Sequence, residues 1–243
     1  MYPLNDKDLA LDISGNSNPS GTTHNVQETD GPFGGETSIW FDGTSSSYIS
    51  ISHNGDLSMD ASFSILVWIY KTPIFGFGGH IAIFESDNEA FSGLQFYGTY
   101  IINSVVGALH FPSSGETAEV GNFNFMFFNS GFWQHVALIY NFNSGYASLY
   151  VNKVLFGNKF VGSKMVATSG KLIVGKSFRG RIACLQLYRR PLLLEHVEDA
   201  KDKCYRGGKN MFAIINRTFL LMLSIYIFNV GFENLAMNEA NLS

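Results

Sequence analysis

Short runs that alternate apolar and polar residues recur along most of the chain, separated by clusters of Gly, Asn, Ser and Asp. In the run Phe63–Tyr70 one strand face would carry only apolar side chains: Phe63, Ile65, Val67 and Ile69. The opposite face holds Leu66, Trp68 and Tyr70. Because both faces are bulky, the run is typical of an inner strand of a sandwich.

Ten runs predict strands: Ser38–Phe41, Tyr48–Ile51, Phe63–Tyr70, Ile81–Glu85, Leu94–Tyr97, Val105–Phe111, Trp133–Tyr140, Tyr146–Val151, Leu172–Val174 and Arg181–Arg189. Asn141–Gly145 is expected to be a hairpin loop. Residues 12–36 are too rich in turn-forming residues to predict a regular element. Short strands at this spacing favour an all-β, antiparallel sandwich.

One short helix and an apolar tail follow the last predicted strand. Pro191 precedes Leu192–Lys201, which predicts the helix. We place the domain at residues 1–203 and the tail at 204–243, where Met211–Phe232 is mostly apolar. The tail is a membrane segment, a helix docked on the sandwich or a gene-model extension. Only 15 uncharged residues run from Thr218 to Phe232, whereas a spanning helix needs about 20.

Composition and charge exclude several classes of protein. With 46% hydrophobic and 15% charged residues, the chain has ample apolar surface and is not intrinsically disordered. The net charge of −4 hides a split, because residues 1–150 carry −12 and residues 151–243 carry +8. A nucleic-acid-binding protein is not expected to have this distribution. The first residues do not resemble a secretory signal, so the protein is intracellular or the sequence lacks its true start.

The two cysteines, Cys184 and Cys204, are too few for a disulfide scaffold or a four-cysteine zinc site. A bridge between them would close a loop of about 20 residues and stabilise the fold by about 3 kcal/mol. Two free thiols are the alternative that the residues alone leave open.

Seven motifs, taken in order, resemble LamG-like (laminin G or pentraxin-like) domains of the concanavalin A-like lectin/glucanase superfamily. They are Tyr2–Asn5, Asp12–Asn16, Phe41–Ile49, Phe63–Tyr70, Trp133–Ala137, Ala147–Asn152 and Phe178–Leu192. The resemblance covers roughly residues 1–203. It implies a jelly-roll sandwich of two antiparallel sheets, with a short C-terminal helix.

The resemblance also implies that Cys184 and Cys204 form a disulfide, as paired cysteines do in many extracellular members. Such a bond implies that the protein resides in an oxidising compartment. We therefore expect an extracellular or cell-surface protein whose sequence here is incomplete at its N-terminus. Membrane contact is expected only through residues 211–232, if at all.

Related domains often hold Ca²⁺, and Asp12, Asn16 and Asp42 stand at matching positions. The family often has an acidic residue where this chain has Ala183, which would weaken an oxygen-rich calcium site. The alternative is that Asp12 and Asn16 only stabilise a turn.

The same superfamily includes glycoside hydrolases, and Glu85-Ser86-Asp87-Asn88-Glu89 matches their Glu-x-Asp-x-Glu pattern. Ser86 and Asn88 are polar where a buried catalytic strand should be apolar. We therefore favour solvated loop acids and expect no enzyme activity. His135 shares a predicted strand face with Trp133, Ala137 and Ile139, and we expect it to pack.

Laminin G domains commonly bind sulfated or acidic glycans, and guanidinium groups suit sulfate and carboxylate. The candidate cations are Lys171, Lys176, Arg179, Arg181 and Arg189. A period of two would place Arg179, Arg181 and Arg189 on one face of the last strand. The alternative is that these bases pair with the acidic first half across the sandwich.

The sequence thus predicts a non-catalytic extracellular recognition or adhesion module that binds carbohydrate or acidic glycan. Its partners would be a glycan or an extracellular-matrix or cell-surface protein. A glycoside hydrolase of the same fold and a structural spacer in a mosaic protein are the alternatives.

Overall fold

A computed structural model describes residues 1–5, 10–34, 36–55, 57–72, 79–85, 94–98, 105–121, 131–168 and 170–208. Within these ranges the elements are β1 (Gly21–His24), β2 (Gln27–Asp30), β3 (Thr37–Asp42), β4 (Tyr48–Ile51), β5 (Phe63–Lys71), β6 (Gly79–Glu85), β7 (Leu94–Gly98), β8 (Val105–Phe111), β9 (Glu116–Val120), β10 (Trp133–Asn141), β11 (Tyr146–Val151), β12 (Val154–Phe160), β13 (Lys171–Val174), β14 (Arg179–Tyr188), α1 (Leu194–Ala200) and a 3₁₀ helix (Lys203–Gly208).

The described strands form two seven-stranded antiparallel sheets. Sheet I has the order β1-β4-β13-β6-β7-β8-β9, and sheet II has the order β12-β11-β10-β5-β14-β3-β2. All ten predicted strands are present, and the predicted loop joins β10 to β11 as a hairpin. The antiparallel sandwich is confirmed.

Alternation along the strands places the core between the sheets. Phe63, Ile65, Val67 and Ile69 of β5 are fully buried in one apolar cluster. Ile49 and Ile51 of β4, in sheet I, belong to the same cluster. β5 is the central strand of sheet II, as its two bulky faces predicted.

Four strands were not predicted. β1 and β2 lie within residues 12–36, which we expected to lack regular elements, so that expectation is wrong. β9 and β12 were also missed. Each of these strands is exposed over at least half of its length, which removes the apolar alternation that reveals a strand.

Helix α1 covers part of the outer face of sheet II. Val197 and Ala200 pack against Leu66, Ala137 and Ile139 of the sheet. Just after the helix, the main-chain oxygen of Lys201 accepts a hydrogen bond of 2.7 Å from Nε1 of Trp68. This part of the outer face is therefore a second, smaller apolar layer.

A bulge interrupts β14 between Ala183 and Gln186. At this bulge Cys184 has a positive φ of 51°, and its N–H donates to the main-chain oxygen of Pro3 at 2.7 Å. Cys184 is joined to Cys204 by a disulfide. The bond ties the segment after α1 to the bulge, with the pairing that the resemblance implied.

Residues Met1–Cys204 form one compact unit, and Tyr205–Ser243 form another, of which only residues 205–208 are described. Among the described helices, none has the length and apolar character needed to cross a membrane. The predicted membrane segment 211–232 lies outside the described residues, so the boundary at 203 and the nature of the tail stay predictions.

Candidate functional site

The structure separates the five cations predicted to bind an acidic ligand. Lys171 opens β13 in sheet I, opposite Glu85, and Lys176 follows β13. Arg179 and Arg181 lie at the start of β14 in sheet II, whereas Arg189 follows its far end. They do not form one continuous patch.

The bulge in β14 explains why Arg189 is apart from the other two arginines. Before the bulge, odd-numbered Arg181 and Ala183 lie opposite Tyr70 and Trp68, whereas after it even-numbered Gln186 lies opposite Leu66. One extra residue reverses the side-chain alternation. The expectation that Arg179, Arg181 and Arg189 share one face is therefore wrong for Arg189.

Some bases of the second half do meet acids of the first half, as the alternative explanation required. Lys164 forms an ion pair with Glu116. Arg179 is in register with Asp42. Hydrogen bonds from Thr44, and secondarily the charge of Arg179, hold the pKa of Asp42 below its usual value.

Arg189 lies instead between two adjoining cavities of about 620 and 330 Å³. Both include Arg189 and Met59 in their walls. We call this pair of cavities the Arg189 groove. Its walls come from the loop of residues 14–18, the segment 57–62 and the end of β14. Cavities of this volume fit a small molecule or an oligosaccharide.

The groove combines an apolar floor with polar walls. The floor includes Leu57, Met59 and Leu187. The walls offer amides and hydroxyls, namely Ser14, Asn16, Asn18, Ser58, Ser62 and Asn143. Two exposed cations, Arg189 and Lys203, lie in the larger cavity.

The described side chains that line the groove carry a net positive charge. Asp60 is the one carboxylate among the described wall residues, and its Oδ1 accepts a 2.6 Å hydrogen bond from Thr168. The ring of Tyr188 lies 5.9 Å from Nζ of Lys203. Burial, opposed by the charge of Arg190, raises the pKa of Tyr188, so its hydroxyl stays neutral and donates to Gln186. The groove suits a ligand that carries negative charge.

The predicted calcium ligands are not brought together. Asp42 is opposite Arg179 near the start of β14, whereas Ser14, the hydrogen-bond partner of Asp12, lies in the groove beside the strand's other end. Among the described residues, no three His, Cys, Asp or Glu side chains are placed to hold a metal ion.

Asp12 is already occupied by protein donors. Its Oδ1 accepts from the Met1 ammonium at 2.7 Å, and its Oδ2 accepts from Ser14 Oγ and Asn18 Nδ2, each at 2.7 Å. Burial raises the pKa of Asp12, but these hydrogen bonds outweigh it and hold the pKa well below its usual range. A calcium ion would have to compete with the Ser14 and Asn18 donors for Oδ2 of Asp12.

Asn16 and Asp42 take similar turn-forming roles. The N–H of Asn16 donates to Ser14 Oγ over 3.3 Å, and Asp42 Oδ1 accepts from both the N–H and the hydroxyl of Thr44. These contacts match the turn that we considered as the alternative to calcium. Calcium binding itself stays a prediction.

His135 packs on the outer face of sheet II. It is 6% exposed, and its ring lies 5.1 Å from that of Trp68. Burial, aided by the charge of Lys201, lowers the pKa of His135 to about 4. The ring is therefore neutral near pH 7 and has the packing role that we expected.

The remaining catalytic candidates are only partly described. Glu85 ends β6, whereas Ser86, Asp87, Asn88 and Glu89 lie outside the described residues. The hydrolase motif therefore has no geometry to support it or to oppose it.

Sequence reasoning missed most of the groove. It singled out Arg189 and Asn16 but not Asn18, Tyr188 or Lys203. These residues come from segments far apart in the sequence, and no local pattern joins them. The available signal was a second cation, Lys203, a short distance beyond Arg189 in the sequence.

Similar solved structures share this fold at low sequence identity. The binding domain of Paraclostridial Mosquitocidal Protein 1 has a TM-score of 0.61 and 19% identity, over 79% of this chain and 48% of that one. The Botulinum neurotoxin serotype D binding domain has a TM-score of 0.62 and 16% identity, over 83% and 50%. The chain thus spans about half the length of these two structures.

A third structure matches over nearly its whole length. It is Domain 4 of AbnA, a GH43 extracellular arabinanase from Geobacillus stearothermophilus, in complex with arabinotriose. The TM-score is 0.61 at 18% identity, over 82% of this chain and 96% of that one.

Sequence comparison gives a family as well as a fold. No curated protein sequence matches the chain. The Laminin_G_3 family model, described as Concanavalin A-like lectin/glucanases superfamily, matches residues 42–198. This match covers more than half of the sequence and includes β4 through most of α1. The chain therefore belongs to the Laminin_G_3 family of the concanavalin A-like lectin/glucanase superfamily.

Proposed function

We propose that this chain is a non-catalytic recognition module that binds an acidic glycan in the Arg189 groove. The observation that carries the proposal is the presence of Arg189 and Lys203 in the lining of one cavity that also offers amides and hydroxyls. Amides and hydroxyls can exchange hydrogen bonds with sugar hydroxyls. The two cations supply the charge for a sulfate or carboxylate.

The fold neighbours support a binding role. Two of them are binding domains of toxins, and a third was solved in complex with arabinotriose. The superfamily name includes glucanases, so family membership alone does not separate binding from hydrolysis. The position of the exposed cations in the groove favours binding.

We propose an extracellular or cell-surface location for the module. The disulfide between Cys184 and Cys204 supports this location, because such bonds persist in oxidising compartments and are rare in the cytosol. A glycan or a glycan-bearing surface protein would be the partner.

A glycan array probed at low and high salt, with and without Ca²⁺, tests the proposal. We expect sulfated or carboxylated glycans to bind and their binding to weaken with salt. For a heparin hexasaccharide measured by calorimetry, Arg189→Gln should raise Kd about tenfold, since it removes a hydrogen bond to a charged group. The calcium arms test whether the ion contributes.

Lys159→Gln is the matched control, because Lys159 is exposed on β12 and does not line the groove. It changes the net charge equally and should leave Kd nearly unchanged. Equal effects of the two variants would show non-specific attraction and contradict the proposal. If no glycan binds under any condition, the spacer alternative is favoured. Glycan hydrolysis by the wild type that Glu85→Gln abolishes would instead establish the hydrolase.

A further inference from the structure

All three tryptophans of the chain lie on the outer face of sheet II rather than in the core. Trp40, Trp68 and Trp133 are in β3, β5 and β10. Residues of the opposite face of the same strands, Ile39, Ile69 and Val136, are buried between the sheets. Large aromatic side chains on an outer face are informative because the hydrophobic effect alone would bury them.

Strand pairing arranges two of the tryptophans in one transverse row. Trp40 is in register with Gln27 and with Arg181. Arg181 is also in register with Tyr70, which is in turn opposite Trp133. We call these five side chains the aromatic row; they are Gln27, Trp40, Arg181, Tyr70 and Trp133. From β3 to β10 the row crosses three strand spacings, or about 14 Å.

Three side chains of the row, Arg181, Tyr70 and Trp133, are packed against one another. The guanidinium carbon of Arg181 lies 4.8 Å from the centre of the Tyr70 ring. The rings of Tyr70 and Trp133 are 5.6 Å apart and tilted by 59°. Trp40, Arg181, Tyr70 and Trp133 are each partly exposed. The row is therefore held in place but remains accessible to solvent.

Trp68 differs from the other two tryptophans because its indole N–H and its ring are already engaged by other residues of the protein. Its indole N–H donates to Lys201, and its ring contacts those of Phe33 and His135 at 5.3 and 5.1 Å. It lies one register row nearer to the residues that α1 covers. Trp68 thus supports the aromatic row from the side of the helix.

Arg181 retains hydrogen-bonding capacity. Its Nη1 donates to the main-chain oxygen of Asp30 at 3.3 Å. A guanidinium has five N–H donors. Stacking on Tyr70 fixes the plane of this group, so further donors point in defined directions.

The geometry points to a second glycan site: the aromatic row binds a neutral oligosaccharide across the outer face of sheet II. The C–H bonds on one face of a sugar ring carry partial positive charge and are attracted to the negative face of an aromatic ring. Trp40, Tyr70 and Trp133 supply such faces, and Arg181 and Gln27 hydrogen-bond the hydroxyls.

The local charge favours a neutral sugar over an acidic one. Arg181 is the one charged side chain of the row. Arg179, two positions earlier on β14, lies opposite Asp42. The near balance of charge around the row contrasts with the Arg189 groove, which contains two exposed cations. The two sites should therefore differ in ligand class.

Tryptophan fluorescence during titration with neutral oligosaccharides tests this inference directly, because all three emitters lie on this face. An array of neutral glycans, arabinotriose, cellotriose and chitotriose included, should yield a ligand that shifts the emission and protects it from acrylamide quenching. Trp40→Ala and Arg181→Met should each raise its Kd at least tenfold. Trp40→Phe, which keeps an aromatic face, should restore most of the affinity.

Phe160→Ala is the matched control, since Phe160 is 65% exposed on the distant edge strand β12; it should leave Kd unchanged. The protection measurement needs no variant and so remains decisive if Trp40→Ala does not fold. Absence of any neutral ligand from the array, or unchanged Kd in folded Trp40→Ala and Arg181→Met, would overturn the inference.

The two proposed glycan sites can be tested separately. Arg189→Gln should leave neutral binding intact, and Trp40→Ala should leave binding of the heparin hexasaccharide intact. If neutral binding is lost in Arg189→Gln and kept in Trp40→Ala, the neutral glycan belongs to the groove and the aromatic row is not a site.

Discussion

At the scale of single residues, two glycines separate the effect of backbone conformation from that of steric space. Gly15 and Gly175 both have φ of +80°, a value that residues other than glycine rarely adopt. A Cβ on Gly15 would meet nothing within 4 Å, whereas one on Gly175 would lie 2.1 Å from Cε1 of Phe41. Phe41 is fully buried in the core, so its ring has little room to move.

We expect Gly15→Ala to lower the free energy of unfolding by roughly 1 kcal/mol, the cost of a left-handed backbone. Gly175→Ala should lose a further 1–3 kcal/mol or so, because it also overpacks the core. Urea unfolding of the two variants measures both values. Equal losses would show that the Phe41 ring adjusts and that steric exclusion at Gly175 is unimportant.

At the scale of elements, the strands that the pattern failed to predict are the four edges of the two sheets. They are β1 and β9 in sheet I and β12 and β2 in sheet II. An edge strand has one neighbour and one open side, so few of its side chains need to be apolar. The ten inner strands are covered by neighbours and carry the alternation that predicted them.

Helix α1 was predicted from Pro191 and the residues after it, but it lacks a side-chain N-cap. Its N-cap residue is Leu193, which is 62% exposed and makes no side-chain capping hydrogen bond. Serine, threonine, aspartate or asparagine at this position would bond a free N–H of the first turn. The helix is therefore held by its packing on sheet II.

Leu193→Asp should stabilise the protein by about 1 kcal/mol, because it supplies the missing cap. Its negative charge also interacts favourably with the helix N-terminus. Thermal and urea unfolding measure the gain. Leu193→Ala is the control that removes the same exposed leucine without adding a cap, and an equal response of both variants would contradict the explanation.

At the scale of the whole molecule, the opposite charges of the two sequence halves belong to one compact unit, Met1–Cys204. Each sheet contains strands from both halves, with β13 of the second half in sheet I and β12 and β14 in sheet II, so acids and bases that are distant in sequence become neighbours. Glu116 with Lys164 and Asp42 with Arg179 are examples. The charge that remains exposed in the groove comes from Arg189 and Lys203.

The disulfide is the covalent link within this unit. It joins residues separated by 20 positions, and closing such a loop in the unfolded chain stabilises the native state by about 3 kcal/mol. We expect a reductant to lower the free energy of unfolding of the wild type by about that amount, as measured by urea unfolding. The double variant Cys184→Ala/Cys204→Ala should be insensitive to the reductant; a wild type that is equally insensitive would show that the bond does not contribute.

The sequence by itself determined the sandwich class, the ten inner strands, the faces of β5 and the packing role of His135. These properties depend on which side chains alternate toward a buried face, and that period of two is local. The family of residues 42–198 could be recognised for the same reason, since its motifs mark inner strands and their turns.

Only the tertiary structure decided where the candidate sites lie. The bulge at Cys184 moved Arg189 off the face of Arg181, because one inserted residue reverses every later side chain on the strand. Register between β2, β3, β14, β5 and β10 then assembled the aromatic row, and distant loops enclosed the Arg189 groove. Register and loop closure depend on contacts between residues far apart in sequence, which no local pattern of apolar and polar positions encodes.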